Sequence, residues 1–160
     1  MKQKFKIGIG SFILIYGTLI ILAIAAGYAA FNTNGVIAIS IVISLAFCIG
    51  LCAVLFLYQI PSSIESDDES ITIMFPIHHI TLPKSEIAEI KSIDYSDLRG
   101  SLRLFGIGGI KFGKNDILLT GHFSNRTFGK YEMYCTSSED LILITTAKGR
   151  KIVTNCSLHL

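Results

Sequence analysis

The pattern of hydrophobic and polar positions changes at Pro61. Between Lys6 and Glu65 the chain contains no Asp, Glu, Lys, Arg or His. Two apolar stretches, 7–31 and 36–60, are joined by the uncharged polar turn 32–35. At about 1.5 Å per helical residue, each exceeds the roughly 30 Å hydrocarbon core of a bilayer. The pattern predicts a hairpin of two transmembrane helices, a domain that we place at 1–61.

After Pro61 the periodicity becomes that of β-strands. Residues 62–69 are polar and acidic, which predicts a linker. Alternation then predicts short strands, bounded by turn residues, at 70–75, 77–82, 87–93, 117–123, 131–136, 141–146 and 151–154. About seven antiparallel strands favour a sandwich or a small barrel. We therefore expect an all-β domain over 70–160.

Composition and charge support this division. The chain is 51% hydrophobic, above the range of ordinary soluble domains. Residues 1–60 carry three lysines and no acid, 61–98 carry two bases against eight acids, and 99–160 carry nine bases against four acids. No block has the basic, aromatic-interleaved pattern of a nucleic-acid binder.

A cleaved signal peptide is the alternative for the N-terminus, because Lys2, Lys4 and Lys6 precede an apolar run. The run is longer than a signal sequence requires, and a second span follows directly. Flanking lysines stay on the cytoplasmic side of a membrane. We therefore expect a multi-pass protein of the inner membrane with both termini in the cytoplasm.

The second span carries small residues at every fourth position. These candidate helix-packing residues are Ser40, Ser44, Cys48 and Cys52. Small residues at this interval allow helix backbones to approach closely. The stripe predicts packing within the hairpin or, second, between copies of the chain.

Motifs in the second half resemble the bacterial pleckstrin-homology-like (PH-like) domain family. In chain order they are Arg103-Leu104-Phe105-Gly106, Gly108-Gly109, Gly121-His122-Phe123-Ser124-Asn125, Phe128-Gly129-Lys130-Tyr131, Tyr134-Cys135-Thr136 and Leu141-Ile142-Leu143-Ile144, followed by 149–153. The resemblance covers most of 70–155. It implies a partly open barrel of two nearly orthogonal sheets, often fused to transmembrane helices, with no enzymatic activity.

The C-terminal segment departs from the family pattern. A PH fold is closed by a C-terminal helix, whereas 155–160 allow at most one turn. We expect a capping helix that is short or absent. The apolar barrel end left open would then favour an oligomer or membrane docking.

Signals for catalysis or for a cofactor are weak. Residues 108–114 match GxxxxGK, the pattern of a phosphate-binding loop. Asn115 stands where that loop has Ser or Thr, and the residues that follow are typical of a strand rather than of a helix. His78 and His79 point to opposite faces of a strand, and no CxxC or HxxxH spacing indicates a metal site. We predict no enzyme, cofactor or metal.

The remaining chemical signal is a set of bases among glycines and aromatics. These candidate contacts to a lipid, a phosphate or a partner are Arg99, Arg103, Lys111, Lys114, Arg126 and Lys130. A solvated face paired with the acidic first half is the alternative. Three functions remain open: a membrane-anchored module that binds or assembles proteins, an anionic-lipid-facing module, and an accessory subunit of a larger membrane complex.

Overall fold

A computed structural model describes residues 2–5, 9–32, 35–111 and 115–156, with side chains apart from those of 9–15, 30, 38 and 107–111. Its helices are α1 (Ile9–Asn32) and α2 (Val36–Gln59). Its strands are β1 (Lys2–Lys4), β2 (Ser63–Ser66), β3 (Ser70–Met74), β4 (His79–Pro83), β5 (Ile87–Ser92), β6 (Leu102–Lys111), β7 (Asp116–Asn125), β8 (Gly129–Ser137), β9 (Leu141–Thr146) and β10 (Lys151–Asn155). Two helices followed by an all-β domain confirm the predicted fold class.

The helices pack side by side along a seam of half-buried residues. Half-buried positions recur every three or four residues and include Leu19, Leu22 and Ala26 of α1, and Ile41, Leu45 and Ile49 of α2. Within the described residues, Ile39–Gln59 is long and apolar enough to cross a membrane, and Tyr16–Ala29 is a shorter apolar stretch. The apolar pattern thus indicates membrane association.

The seam differs from the predicted small-residue stripe. Ser40, Ser44 and Cys48 are exposed, and Cys52 is half-buried. The stripe lies one position away from the seam, where branched side chains repeat at the same interval and cover more apolar surface. The first three members of the predicted stripe therefore lie outside the seam.

The strands form two sheets. The four-stranded sheet has the order β1-β2-β3-β4, and the six-stranded sheet has the order β5-β9-β10-β8-β7-β6. All pairs are antiparallel except β8 and β10, which are parallel. The strands outnumber the seven predicted, because β1, β2 and β6 add to the predicted set. We predicted that the C-terminal capping helix is short or absent at 155–160. Of these residues, 157–160 lie outside the described part of the chain.

The predicted linker 62–69 contains a strand. β2 pairs with β3 on one side and with β1 on the other, and Ile64 is completely buried. Glu65 forms an ion pair with Lys2, with 2.6 Å between Nζ and Oε1. The acidic composition of 62–69 hid this strand, because its one inward-facing side chain is flanked by polar residues. Linker character is therefore wrong for Ser63–Ser66.

The N-terminus completes the first sheet. After β1, the Phe5 amide donates to the Ser62 carbonyl at 3.0 Å, and the Phe5 ring is 8% exposed within the core. Both ends of the helical pair are thus attached to one sheet. The chain leaves that sheet through α1 and returns to it from α2.

Two apolar clusters hold the β domain together. The first lies between the sheets and joins Ile64, Ile73 and Phe75 to Ile144 and Ile152. The second covers the other face of the six-stranded sheet, and its members include Leu98, Ile117, Phe123, Met133 and Val153. The six-stranded sheet is therefore apolar on both faces over β9 and β10.

A pair of glycines brings β6 and β7 into close backbone contact. Gly106 and Gly121 are register partners with φ of 136° and 117°, values that side chains rarely adopt. A Cβ on Gly121 would lie 2.2 Å from the Phe105 carbonyl oxygen and 2.6 Å from the Gly106 Cα. Only glycine fits at either position, which gives a physical reason for these two members of the glycine pattern.

Candidate binding groove

Alternation along β8 divides its side chains between a filled face and an open face. Tyr131, Met133 and Cys135 enter the second cluster, so Glu132 and Tyr134 point to the opposite side. Glu132 is the register partner of His122 in β7, which in turn is opposite Phe105 in β6. This row of three strands forms one wall of a groove.

The last turn of α2 forms the facing wall. Ile60 packs with Leu118 of β7, supported by Phe56, which fixes the end of the helix against the sheet. Tyr58 stacks on His78, with ring centroids 4.2 Å apart, and His78 stacks on Phe75 at the same separation. The groove therefore lies where the helical pair meets the β domain, and we call it the junction groove.

The junction groove has an inner chamber and a wider mouth. The chamber has a volume of about 250 Å³, and its lining includes Tyr58, Gln59, His78, His122, Glu132 and Arg150. The mouth has a volume of about 600 Å³, and its lining includes Leu104, Phe105, Lys130, Lys148, Arg150 and Lys151. The mouth falls within the range of about 300–1,000 Å³ that is typical of small-molecule sites.

Glu132 and Arg150 line both the chamber and the mouth and form an ion pair. Arg150 Nε donates to Glu132 Oε1 at 2.8 Å, and Arg150 Nη2 donates to Oε2 at 2.7 Å. Burial acts to raise the pKa of Glu132, but its bonds to Arg150 outweigh burial and lower it. The same hydrogen bonds raise the pKa of Arg150. Both groups are charged at neutral pH, and the guanidinium side chain remains 42% exposed.

Tyr134 ties the carboxylate to the core. Its hydroxyl donates to Glu132 Oε2 at 3.1 Å, and its ring packs edge-on against Phe75. Burial and the neighbouring carboxylate raise the pKa of Tyr134, so the phenol stays protonated. Glu132 is thus positioned by two donors and serves to hold Arg150 in place.

Two buried polar atoms of residues that line the chamber have no hydrogen-bond partner among the described residues. They are Oε1 of Gln59, a residue that is 7% exposed, and Nδ1 of His78. Burial of the ring and the neighbouring His79 lower the pKa of His78, which favours neutral imidazole. Unpaired buried polar groups are costly, so these two atoms reduce the stability of the fold.

Lysines surround the mouth. Lys151 Nζ donates to the Phe128 carbonyl at 2.8 Å, and Lys148 forms an exposed ion pair with Glu86 at 2.9 Å. Lys130 has no hydrogen bond or ion pair with the residues that the structure describes. With Arg150, the mouth has four cationic side chains and Glu132 as its acid. The groove is therefore electropositive.

The structure disperses most of the bases singled out from the sequence. Arg99, Arg103 and Arg126 are exposed and do not line the groove, whereas Lys130 does. The backbone of Lys111 pairs with Ile117. Its side chain and the whole of Lys114 lie outside the described residues. The six candidates thus do not form one cluster within the described part of the chain.

Three groove bases were not among the candidates: two lie in the turn before the predicted strand 151–154, and one begins that strand. Lys148, Arg150 and Lys151 belong to the β9–β10 hairpin, which brings them beside Lys130 of β8. The sequence signal was the local run Lys-Gly-Arg-Lys at 148–151. Its pairing with Glu132 depends on the parallel β8–β10 contact and is not visible in the local sequence.

The described residues offer little for catalysis. The first four residues of the GxxxxGK segment, 108–111, belong to β6, and Asn115 is followed directly by β7; residues 112–114 are outside the described residues. No group of three or more His, Cys, Asp or Glu in the described part of the chain is arranged to hold a metal. Cys135 is fully buried, and burial raises the pKa of its thiol.

The family of bacterial PH domains matches residues 62–155 of the sequence. The chain belongs to this family. Comparisons with curated proteins and with solved structures found no significant match. The PH domain assignment confirms the resemblance carried by the glycine and aromatic motifs and supports a binding role in general. The junction groove lies within this PH domain, apart from the wall supplied by α2.

Proposed function

We propose that the protein is a membrane-anchored, non-enzymatic binding and assembly module that presents its PH domain to a protein partner at the inner face of the membrane. The attachment of both helix ends to one sheet carries this proposal. Because β1 and the end of α2 are both packed into the domain, the PH domain is held in one orientation relative to the helices.

The anchor follows from the length and attachment of the helices. Each helix has 24 residues, which corresponds to about 36 Å at 1.5 Å per residue. Two such helices that leave and re-enter one sheet would cross the bilayer as a hairpin. With Lys2, Lys4 and Lys6 on the cytoplasmic side, the PH domain would be cytoplasmic.

The outer edge of β6 is the surface that we assign to the partner. β6 is an edge strand, and its Leu102, Leu104 and Phe105 side chains are 73%, 58% and 62% exposed. An edge strand with unpaired backbone groups can accept an extended segment of another protein. Neighbouring apolar side chains would supply the specificity. A second copy of the chain would make the partner a homo-oligomer.

Photo-cross-linking in native membranes tests this assignment. A photoreactive amino acid at Leu102 or Leu104 should give a discrete adduct, because the partner segment would lie against β6. The matched control is Glu89, which is exposed on β5 at the opposite edge of the same sheet. Equal adducts from Glu89 and Leu102, or adducts from neither, would contradict the proposed partner surface.

An accessory-subunit role is the second candidate, because Ser40, Ser44 and Cys48 lie outside the helical seam. In that case the stripe would pack against another membrane protein. Ser44→Leu should then abolish co-purification of the partner, whereas Ile43→Leu, beside it on α2, should not. Retention of the partner by both variants would exclude the stripe and leave the β6 edge as the contact.

A further inference from the structure

We propose that the protein partner at the β6 edge presents an extended acidic segment, and that an Asp or Glu side chain of this segment enters the mouth of the junction groove. This inference rests on the proposed function, because it names the chemistry of the segment that β6 accepts. It concerns a polypeptide partner and makes no use of the inner chamber.

The mouth of the groove opens directly beside the β6 edge. Leu104 and Phe105 both line the mouth and are 58% and 62% exposed. Consecutive residues of a regular strand point to opposite faces. The register of β6 shifts between Arg103 and Phe105, so a bulge turns the two neighbours toward one cavity. Side chains of a segment added to β6 would alternate in direction, and every second one would lie on the face that the mouth occupies.

The mouth is suited to a carboxylate. Its described lining has four cations and Glu132 as its acid, and Glu132 is already bonded to Arg150. Lys130 is exposed and has no hydrogen bond or ion pair with any residue that the structure describes. A carboxylate in the mouth would pair with Lys130 and reach the N–H donors of Arg150 that do not bond to Glu132.

The charge of β6 itself favours an acidic segment. Residues 98–115 include the whole of β6 and contain no Asp or Glu. An acidic segment laid along β6 would therefore meet no like charge from that strand, whereas a basic segment would be repelled by the mouth. Backbone pairing accepts many sequences, so charge is what selects among extended segments here.

The edge strand β5 of a second copy is the alternative occupant, because it is extended and carries Glu89. Residues two apart in a strand share a face, so β5 would bring Lys91 to the mouth together with Glu89. The mouth is already rich in cations, which disfavours this pairing. Photo-cross-links from Glu89 as strong as those from Leu102 would identify β5 as the occupant and overturn the inference.

Peptide titration of the full-length protein in a nonionic detergent tests the charge. The probe is a short fluorescent peptide in which valine alternates with glutamate, so that its carboxylates share one face. Followed by fluorescence anisotropy, it should bind about tenfold more tightly than the matched peptide with glutamine in place of glutamate. Its affinity should fall as salt is added. Equal affinities for the two peptides would overturn the proposal.

Lys130→Glu tests whether the mouth supplies the charge. It reverses an exposed cation that has no partner to lose, and it should weaken binding of the acidic peptide by about tenfold. Lys91→Glu is the matched control, because Lys91 is an exposed base on β5 outside the groove, and it should bind as the unaltered protein does. Equal effects of the two variants would show that only net charge matters and would contradict the role of the mouth.

Methylation of the peptide backbone tests the pairing with β6. The valine amides and the glutamate amides point to opposite edges of an extended peptide, so methylating each set blocks one edge. One of these two peptides should lose binding, and the other should keep it. Retention of binding by both would overturn the strand contact.

Competition by phosphatidylglycerol identifies an anionic lipid as the occupant. If this lipid displaces the peptide no better than phosphatidylcholine does, a polypeptide occupant is supported. If it displaces the peptide as well as the unlabelled peptide does, the inference is overturned.

Cross-linking from Leu102 in native membranes separates this inference from the proposed function. The Leu102 adduct should be lost in Lys130→Glu and kept in Lys91→Glu. An unchanged adduct in Lys130→Glu would overturn the acidic segment and leave the β6 edge as the partner surface. Binding of the acidic peptide without any Leu102 adduct would instead contradict the proposed partner and support the chemistry of the mouth.

Discussion

The space between the two sheets is filled over β9 and β10 and left open over β7 and β8. Over β9 and β10, Ile144 and Ile152 meet Ile64 and Ile73, and all four are completely buried. Over β7 and β8, the same face presents His122 and Glu132 to a groove. Neighbouring strands of one sheet therefore pack into the core in one region and line an open groove in the other.

The contrast shows where stability is generated and where it is not. Apolar burial contributes about 25 cal/mol per Å², so the completely buried side chains of the filled region are the main source of stability. The groove contains an ion pair and two unpaired polar atoms, which contribute little to folding or oppose it. Variants in the two regions should therefore separate stability from binding.

The largest loss of stability should come from the filled region. Ile144→Ala removes a completely buried side chain and should lower the free energy of unfolding by about 2–5 kcal/mol. Ile90→Ala, at a position that is 38% exposed, should cost less than about 1 kcal/mol. Urea unfolding in detergent can be followed by tyrosine fluorescence, since the chain contains no Trp. Equal losses would contradict the assigned core.

The pair of glycines that brings β6 and β7 into contact should give the second-largest loss of stability. Gly121→Ala combines an unfavourable φ with contact to the backbone of β6, for a cost on the order of 3 kcal/mol. Gly129→Ala has a positive φ of 71° but open space around its Cβ, so only about 1 kcal/mol is expected. If Gly129→Ala costs as much as Gly121→Ala in the same urea assay, the close approach of the β6 backbone is not the reason that position 121 requires glycine.

The groove ion pair should have a smaller, pH-dependent effect. Glu132→Gln should cost about 1 kcal/mol at pH 7, because solvent screens the partly exposed Arg150. Since folding lowers the pKa of Glu132 below 4.5, its contribution is present above pH 4.5 and is lost as pH falls through the folded-state pKa. The variant should lack this part of the acid dependence of stability. Identical acid profiles would contradict the pairing.

The smallest effect on stability should come from the mouth. Lys148 and Glu86 have side chains that are 78% and 46% exposed, so Lys148→Gln should change the free energy of unfolding by less than about 0.5 kcal/mol. A loss in the urea assay as large as that of Ile144→Ala would reverse the comparison.

The sequence predicted those elements whose pattern is local. The apolar runs define both helices, and alternation identifies β7 to β10. β6 was missed because Gly106, Gly108 and Gly109 interrupt alternation, and because the strand depends on pairing with β7. β1 and β2 were missed since each is short and polar, and their pairing joins residues on either side of the hairpin. The groove combines α2, β7, β8 and β10, a combination that only tertiary structure provides.

The most direct test of the account is whether both ends of the helical pair are attached to one sheet. Lys2→Cys and Glu65→Cys place thiols at register partners of β1 and β2. Mild oxidation of intact membranes should give an intramolecular 2–65 disulfide, detected in the peptide masses. Without oxidation, an impermeant thiol reagent should reach both cysteines only from the cytoplasmic side. Labelling of the two positions from opposite sides, with no disulfide, would contradict the account.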